Sequence, residues 1–542
     1  MDNSMNQVLR EVTEEYLQNL NPDKTPSEIE VELLEAMKNE FELHNAVADK
    51  GQKWRYPDYL KHTQIAEIIL KKEVVRMICG TNQMTRRKYM ILGIYNPVNG
   101  LYETEEDYFA KIISDYNYTI KSIEIKEIIE TLKRKAEVAF KCMDKDLIPV
   151  NNGIFNYATK ILMPFSSEYV FTAKSPVNYN LTPSLKQFTR DDGSLWDVEM
   201  WVQTLSDDSE VVNNIWEMLS AVIRPNVNWN CAAWLYGTGN NGKGCLTQLC
   251  RSLVGEENCA SIPLASMSKD FALEPLKRIS AIIVDENDEE YIDSASNLKT
   301  IITHDTLHIN IKFEQPVQVQ PHIFMVQAMN QLPRTSSRSG NNGFYRRQLF
   351  IPLDKCFDGH EDKKIKSEYL KDSDTLEYIL HKVLNTDFYE FTETAANAEL
   401  KEEYKVFNNP VRQFYDEFIT QTVWNFLPGM FLYDAYKVWF GKNNPSGKPQ
   451  GRNTFLSDLK ELLVKEVGGF EYRSDKNPIH SSQTNLNEPE YLIQSYDLKD
   501  WMNPSYKGND WKQRCVPVPR KTMSGFLKLY PTISDEKEGD KT

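Results

Sequence analysis

The sequence predicts an α/β fold: a parallel sheet covered by helices, preceded by an α+β region and followed by helices and a β ribbon. Two observations predict the central sheet. Between residues 206 and 395, apolar runs of strand length alternate with helical stretches, which is the pattern of a parallel sheet with helices on its faces. One of these runs enters a helix through a glycine-rich segment. The length of 542 residues leaves room for further domains on either side.

Composition narrows the class of protein. Hydrophobic residues make up 41% of the chain and charged residues 26%, as in a folded soluble protein. The N-terminus lacks the apolar region of a signal peptide, and no apolar run is long enough to cross a bilayer. The eight cysteines form no CxxC pair, so we expect reduced thiols, a cytoplasmic location and no zinc site. A net charge of −15 argues against a passive nucleic-acid coat, but local DNA contacts remain compatible with it.

Residues 1–140 are predicted to form an α+β accessory domain. Its start is helical, and KYMILGIYNPVNGLYET reads as a hairpin around the turn NPVNG. The cluster RRK at 86–88 could touch a phosphate backbone, although a solvated face is the favoured interpretation. Residues 141–205 read as a connecting segment of short strands and turns, including LIPVNNGIFNYATK.

The segment GTGNNGKG is predicted to bind phosphates. It follows the apolar run AAWLY and precedes LTQLCRSL, whose leucines are spaced as in a helix. Glycines let backbone N–H groups surround phosphate oxygens at a helix N-terminus, and Lys243 adds a positive charge. A glycine-rich turn with an exposed lysine is the disfavoured alternative. The predicted nucleotide-binding residues are Gly237, Thr238, Gly239, Asn240, Asn241, Gly242, Lys243, Gly244 and Cys245. Cys245 and Cys250 are otherwise expected to be packing residues.

Hydrolysis needs further groups, and three later segments supply candidates. ISAIIVDEND ends a strand with Asp285, which could hold Mg²⁺, and Glu286, which could deprotonate a water; a solvated acidic turn is the alternative. HIFMVQAMNQLPR ends a strand with Asn330, which could sense a phosphate. GNNGFYRRQLFIPL places Arg346 and Arg347 before a strand, where an arginine could reach a neighbouring subunit's nucleotide or form a surface ion pair.

In this order, the motifs resemble those of helicase superfamily 3, and specifically the phage, plasmid and poxvirus primase-helicase family. The matching pieces are GTGNNGKG, IIVDE, LKTIITHDTLHINIKF, MNQLP and FYRRQLFIPL. Upstream, LIPVNNGIFNYAT resembles the family's segment before the motor. Downstream, NPVRQFYDEF and LYDAYKVWF resemble its C-terminal winged-helix region. The resemblance covers roughly residues 140–460.

The resemblance implies a P-loop ATPase of the AAA+ type, which uses ATP and Mg²⁺ and assembles into a ring, expected to be a hexamer, around DNA. Its core would span residues 206–395, a winged-helix DNA-binding region 396–530 and a disordered tail 531–542. The resemblance assigns Lys243 as the Walker A lysine, Asp285 as the metal-binding Walker B residue with Glu286 beside it, and Asn330 as sensor 1. Arg347 is the preferred arginine finger and Arg346 the second choice. Lys312, with Phe313 beside it, matches the lysine that a β-hairpin projects towards DNA in the pore.

The sequence departs from the family pattern in two places. His304 and Asp305 stand where a Gly-Asp pair often precedes the hairpin, which puts the local turn in doubt. Gly244 stands where a hydroxyl normally binds Mg²⁺, which would leave Asp285 and water to hold the metal. Thr247 lies one helical turn on, and we expect it to be too deep to substitute directly. The site is nevertheless interpreted as active.

A basic C-terminal segment leaves two interpretations open. WMNPSYKGNDWKQRCVPVPRKTMSGFLK interleaves lysines and arginines with Trp501, Tyr506 and Trp511. Such a combination binds single-stranded DNA in some proteins, and packing of the aromatic rings explains it equally well.

Two functions follow from these predictions. The first is an ATP-dependent replicative DNA helicase of a phage, plasmid or integrated mobile element, acting on single-stranded and forked DNA, with any primase or loader on a separate chain. The alternative is an origin-binding initiator or loading scaffold that binds ATP as a switch, without processive unwinding. Gly244 supports the alternative, and Glu286 with the two arginines supports the helicase.

Overall fold

The computed structural model describes residues 3–49, 51–80, 87–287, 292, 294–312, 316–335, 342–443 and 448–529. In these ranges the chain is a mixed α/β protein with a five-stranded parallel sheet at its centre. No helix in these ranges is long and apolar enough to cross a membrane.

The N-terminal region packs helices against a four-stranded sheet of order β3-β2-β1-β4. Helix α2 buries Ile29, Leu33, Met37 and Phe41, which recur every four residues and therefore share one face. The predicted hairpin is present, since β2 and β3 pair antiparallel. The elements are α1 (Asn3–Gln18), α2 (Pro26–Val47), α3 (His62–Lys72), β1 (Val75–Cys79), β2 (Ile91–Asn96), β3 (Leu101–Glu103), α4 (Glu106–Ser114), α5 (Ser122–Lys135) and β4 (Glu137–Phe140).

The connecting segment consists of short strands, as predicted. Its first three strands form an antiparallel sheet, and the next two pair with each other. The elements are β5 (Leu147–Val150), β6 (Gly153–Asn156), β7 (Ile161–Met163), β8 (Phe188–Thr189), β9 (Leu195–Trp196) and α6 (Val198–Gln203).

The central domain carries the parallel sheet, whose strand order is β11-β12-β15-β10-β16. Successive residues of β10 face opposite sides: Ala233 and Leu235 join one hydrophobic core, and Ala232 and Trp234 join the other. Burial on both faces explains why the strands read as continuous apolar runs. The elements are α7 (Ser209–Ile223), β10 (Ala232–Tyr236), α8 (Lys243–Val254), β11 (Cys259–Ala260), β12 (Ala281–Asn287), α9 (Ser296–Ile302), β13 (Leu307–Ile309), β14 (Val317–Val319), β15 (Phe324–Met329), α10 (Asn342–Tyr345), β16 (Gln348–Pro352), α11 (Lys363–Ser367) and α12 (Ser373–Asn385).

The connecting segment is attached to the end of the central domain by contacts distant in sequence. The Phe388 amide donates to the Tyr157 hydroxyl at 2.9 Å, across 231 residues. The Tyr389 hydroxyl donates to Asp146 at 2.9 Å. The His381 ring lies 3.0 Å from the Asn180 carbonyl oxygen, which adds a third link. These polar contacts join the two segments into one unit.

The C-terminal region has a core of its own, in which Phe414, Tyr436, Trp439 and Phe455 pack together. A three-stranded antiparallel sheet of order β17-β21-β18 accompanies the helices. The elements are α13 (Ala395–Phe407), α14 (Pro410–Glu417), β17 (Phe426–Pro428), α15 (Gly429–Asn443), α16 (Arg452–Lys460) with a π-helical continuation (Glu461–Glu466), β18 (Phe470–Arg473), β19 (Ile479–His480), α17 (Tyr491–Ser495), α18 (Trp511–Arg514), β20 (Thr522–Met523) and β21 (Gly525–Lys528).

Helix α13 packs with the central domain. Its Tyr404 lies in the same core as Trp234 and Phe350, and its hydroxyl donates to the Pro333 carbonyl at 2.6 Å. The separate C-terminal core begins with Val411. The domain limits predicted from the sequence stay predictions, and the packing places the change of core after α13.

Two aromatic residues of the basic C-terminal segment are packed. The Trp501 indole donates to Asp434 at 3.1 Å, and its ring centroid lies 5.2 Å from that of Phe431. Trp511 packs edge-on against Tyr491 at 5.2 Å. For these two rings, packing is the interpretation that the structure supports.

Candidate functional site

The predicted phosphate-binding loop lies between β10 and the N-terminus of α8. A side chain at Gly237 would place Cβ 2.5 Å from the Leu353 carbonyl oxygen and closer still to the Asn241 amide. Gly242 has φ +87°, and its Cβ would lie 2.6 Å from Leu205. Both positions therefore need glycine, one for a close approach and one for a left-handed backbone.

Lys243 is buried at the first position of α8. Its ammonium donates to the Gly237 carbonyl at 2.6 Å and to the Asn241 side-chain oxygen at 3.0 Å. Burial lowers the pKa of Lys243, and the charge of Glu286 partly opposes that shift. The Lys243 ammonium is therefore fixed in position by acceptors from two residues of the loop.

The predicted carboxylates lie at an irregularity of β12. The pairing of β12 with β15 shifts register between Val284 and Asn287, and both Asp285 and Glu286 are exposed there. A break in the ladder of this kind re-aims side chains, and such breaks are frequent beside active sites. The Asn330 amide, which follows β15, donates to Glu286 at 2.9 Å. The ends of β12 and β15 therefore bring Glu286 and Asn330 into contact.

Two residues of α8 hold Asp285, and sequence reasoning did not assign them to the site. The hydroxyl of Thr247, which is fully buried, donates to the Asp285 carboxylate. Arg251 donates to the Ile283 carbonyl at 2.6 Å and lies 3.4 Å from the other Asp285 oxygen. Thr247 is buried, as expected, but its hydroxyl contacts the Asp285 carboxylate. Gly244 has no side chain that could make this contact. The four-residue spacing of Lys243, Thr247 and Arg251, which places them on one helix face, was the available signal.

A lysine from a later helix lies beside Gly244. A Cβ added at Gly244 would be 3.3 Å from the Lys366 ammonium of α11. Lys366 and the loop line a cavity of about 550 Å³, together with Asp285, Glu286 and Asn330. That volume lies within the range of ligand pockets, roughly 300–1,000 Å³. No motif near Lys366 could have predicted this position, because the fold brings α11 back to the loop.

The two predicted arginines lie at the amino ends of the parallel strands, whereas the loop lies at their carboxyl ends. Arg347 precedes β16, and its carbonyl accepts from the Ala232 amide, at the start of β10, at 2.9 Å. Arg347 also donates to the Gly343 carbonyl, and Arg346 is exposed. Because β10 and β16 are parallel, the loop after Tyr236 lies at the far end of these strands. The structure does not bring either arginine to Lys243 of the same chain.

The predicted hairpin lies between α9 and β15. Strands β13 and β14 pair antiparallel, and Lys312 is exposed in the connection between them. Phe313 lies outside the described residues. His304 has φ +56°, a left-handed conformation that glycine adopts easily. The turn before the hairpin, which was in doubt because His304 replaces a glycine, is therefore formed, and His304 adopts the left-handed conformation itself.

Three family models match parts of the chain. Residues 235–347, which run from the glycine loop to the arginines, match a family of unknown function, DUF5906. Residues 34–207 match the model described as D5 N terminal like, and residues 407–501 match the one described as poxvirus D5 protein-like. The last two matches support a relationship to D5-like proteins, as the sequence motifs predicted.

Solved structures similar to this chain include three of the NrS-1 C-terminal region. The A-form apo structure of residues 305–718 is 14% identical, covers 87% of this chain and 100% of that chain, and has a TM-score of 0.40. Another A-form apo structure is 13% identical and covers 86% and 99%, and a further apo structure is 13% identical and covers 87% and 100%, both with a TM-score of 0.40. No curated protein matches the chain.

Proposed function

We propose that this chain is an ATP-dependent DNA helicase of superfamily 3, with an AAA+ core, that works as a ring in the replication of a phage, plasmid or integrated mobile element. The observation that carries the proposal is that Lys243, Asp285, Glu286 and Asn330 line one cavity at the carboxyl edge of the parallel sheet, where its strands end. Ligands of open α/β sheets bind at that edge, beyond the carboxyl ends of the strands. The D5-like matches on both sides of this core support a role in replication.

The residues at this edge fit a magnesium nucleotide. Loop residues from Gly239 to Gly244 line the cavity, where their backbone N–H groups would bind phosphate oxygens, and Lys243 and Lys366 supply positive charge. Magnesium is usually bound by one or two carboxylates, water and substrate phosphates, so the single carboxylate of Asp285 suffices. When bound, MgATP supplies the phosphoryl group that is transferred to water. Asp285 would hold the metal in an orientation that Thr247 maintains, and Glu286, oriented by Asn330, would take the proton from the attacking water.

The position of the arginines supports assembly. Neither Arg346 nor Arg347 lies at the carboxyl ends of the strands, where the proposed phosphate site of the same chain is. Strand β16, which they precede, is the edge strand of the sheet and can adjoin a neighbouring subunit. An arginine supplied by the next subunit would stabilise the charge of the transferred phosphoryl group. Arg346 is the more accessible of the two, and Arg347 already donates to Gly343. We therefore assign the finger to this pair and expect Arg346 to contribute.

Two regions would bind the DNA strand. Lys312, in the connection of the β13–β14 hairpin, would contact the phosphate backbone, with Phe313 beside it. The C-terminal helices and the three-stranded sheet β17-β21-β18 would serve as the winged-helix region. Local contacts of this kind allow a chain with a net charge of −15 to bind DNA.

The second candidate is an initiator or loading scaffold that uses ATP as a switch. Gly244 favours it, because the usual hydroxyl ligand is missing. The Thr247–Asp285 contact weakens that support, since a hydroxyl on the same helix face holds the acidic residue. The pairing of Glu286 with Asn330 also favours hydrolysis.

A strand-displacement assay on forked DNA, with ATP turnover recorded in the same samples, separates the two candidates. It compares the intact chain with Lys243→Ala, Arg346→Ala and Arg347→Ala. A motor predicts unwinding that disappears in Lys243→Ala and in at least one arginine variant. ATP-dependent DNA binding without displacement, insensitive to both arginine changes, would establish the scaffold and reject the helicase.

A further inference from the structure

A second cavity, of about 70 Å³, lies far from the glycine loop. Its walls come from the connecting segment, the end of α7, and the residues that precede β12 and β15, namely Ser280 and His322. It therefore adjoins the amino ends of the parallel strands, whereas the nucleotide site adjoins their carboxyl ends. None of the residues assigned to nucleotide binding lines it.

The cavity is lined by positive side chains without a negative one. Its basic residues are Lys141, Lys145, Lys174, Arg224 and His322. No aspartate or glutamate occurs among its described lining residues. The remaining walls are mostly apolar, formed by residues such as Ile148, Phe171 and Val254. Several positive charges beside a partly apolar cavity attract an anion, most strongly at the buried Arg224 and less at the exposed Lys145.

Arg224 is the most buried of these cations, at 1% exposure. One of its terminal nitrogens donates to the Phe388 carbonyl and lies 3.4 Å from the Ser220 hydroxyl. Its Nε and its other terminal nitrogen have no hydrogen-bond partner among the described residues. The guanidinium stacks 3.4 Å from the centroid of the Tyr157 ring, which holds its plane. Two buried donors without acceptors are costly, and they leave the positive charge of Arg224 incompletely compensated beside the cavity.

His322 and Lys141 show the same lack of negative charge. The His322 Nδ1 is buried and has no partner among the described residues. Burial and repulsion from His304 and Lys141 lower the pKa of His322 to about 4. Burial also lowers the pKa of Lys141. Burial of a basic group is the main cause of both shifts.

We propose that this cavity is a phosphate-binding site. A phosphate group offers several acceptor oxygens in a tetrahedral arrangement, which suits donors that come from several walls, and its charge neutralises the cluster. The volume admits one such group but no nucleoside beside it. The group could be free inorganic phosphate or a phosphate of a nucleic-acid strand, which share this chemistry. The site does not depend on ATP hydrolysis.

Calorimetric titration of the full chain with inorganic phosphate tests the site. It is performed on a Lys243→Ala background, so that the glycine loop contributes less to the signal. We expect saturable binding that weakens roughly tenfold or more in Lys141→Gln and in Lys174→Gln, because each loses a charge-assisted contact. Lys126→Gln, which changes an exposed lysine outside the cavity, is the matched control and should bind as the parent does.

A thermal-unfolding series of the same variants accompanies the titration, so that a loss of folding is distinguished from a loss of phosphate binding. Phosphate should raise the melting temperature of the parent and of Lys126→Gln more than that of Lys141→Gln. Absence of saturable binding in the parent, or equal binding in Lys141→Gln and Lys126→Gln, would overturn the proposal. Loss of ATP turnover in Lys243→Ala with retained phosphate binding would show that the two sites are separate.

Competition with oligodeoxynucleotides identifies the source of the phosphate. Displacement of phosphate by an oligonucleotide with a 5′-phosphate, but not by its unphosphorylated form, assigns the site to a strand end. Displacement by both forms assigns it to the phosphodiester backbone. Displacement by neither assigns it to the free ion.

Discussion

At the residue scale, Gly244 changes how the nucleotide site is built. A glycine follows the loop lysine where a hydroxyl was expected, and the structure places two other groups nearby. The Thr247 hydroxyl binds Asp285, and the Lys366 ammonium lies beside the open space at Gly244. In the site that we propose, one of these groups would orient the metal ligand and the other would add positive charge.

Removing the Thr247 hydroxyl should weaken the use of magnesium. Thr247→Val keeps the shape but removes the donor to Asp285, so the carboxylate loses its orientation. Removing a hydrogen bond that orients a metal ligand typically lowers metal affinity or activity by roughly 10–100-fold. We expect the magnesium concentration for half-maximal ATP turnover to rise by about tenfold or more.

Thr247→Ser is the matched control for this change, since it retains the hydroxyl and should behave almost as the parent. A magnesium titration of ATP turnover measures both variants, with their melting temperatures as a check on folding. An unchanged magnesium dependence in Thr247→Val would show that the contact has no part in the site.

Lys366 should contribute modestly to nucleotide affinity. Its side chain is exposed, so solvent screens its charge and the expected weakening in Lys366→Gln is roughly three- to fivefold. Fluorescence titration with a labelled ATP analogue measures it. Lys363→Gln, on the same helix and also exposed, lies outside the cavity and should leave the affinity unchanged. Equal affinities in the two variants would remove Lys366 from the site.

The residues that sequence could predict are those with a local signal. Lys243 stands at the start of a helix and Asp285, Glu286 and Asn330 stand at strand ends, each in a recognisable string, and the structure brings all four to one cavity. Arg251 and Lys366 carry no such string, because their positions depend on packing between α8 and β12 and on the return of α11. The four-residue spacing places Arg251 on the same helix face as Lys243, but periodicity does not predict which residues of other elements Arg251 and Lys366 contact.

At the element scale, the glycine loop tolerates no side chain at its first residue. Gly237→Ala would force Cβ against the Leu353 carbonyl oxygen, a backbone atom that cannot move without disturbing β16. We expect a loss of about 1–3 kcal/mol in folding stability and a larger loss of nucleotide affinity. Thermal unfolding with and without an ATP analogue measures both effects.

Gly441→Ala provides the comparison. Its Cβ would meet nothing within 4 Å, and it lies in α15, where alanine is a better helix former than glycine. That variant should be as stable as the parent or slightly more so. If both variants behave alike, the close approach at Gly237 has no consequence.

Elements with a clear period were predicted better than those without one. The N-terminal hairpin and the alternating central domain appear where the sequence pattern indicated them, and the hairpin before β15 appears where the family resemblance implied one. The packing of α13 on the central sheet could not be predicted, because its apolar face does not specify which core it joins. His304 likewise shows that the turn forms without the glycine that usually marks it.

In the whole molecule, the two halves of the proposed catalytic machinery lie at opposite ends of the parallel strands. The loop follows the end of β10, and the arginines precede the start of β16. A single chain therefore cannot complete the site that we propose. Head-to-tail assembly, in which one subunit's arginines face the next subunit's loop, would complete it.

A mixing experiment tests this arrangement. Lys243→Ala has a defective loop and intact arginines, and the double variant Arg346→Ala/Arg347→Ala has the reverse. Each alone should hydrolyse little ATP. Mixed in equal amounts, they should recover about a quarter of the parent turnover, since that share of interfaces joins an intact loop to intact arginines.

The control for the mixture replaces Lys243→Ala by a chain that carries all three substitutions, which should restore nothing. Size-exclusion chromatography with light scattering confirms that the mixed chains assemble. Assembly without any recovered turnover would show that the arginines do not act between subunits.

The attachment of the connecting segment to the end of the central domain has a consequence for biosynthesis. The Tyr157 hydroxyl cannot accept its hydrogen bond from the Phe388 amide until that residue, 231 positions later in the chain, has been translated. At ribosomal rates of about 5–20 residues per second, that interval is roughly 10–50 seconds. During it, the nascent segment exposes aromatic side chains such as Tyr157 that are buried in the folded chain. We therefore expect chaperone supply to affect the yield of folded chain.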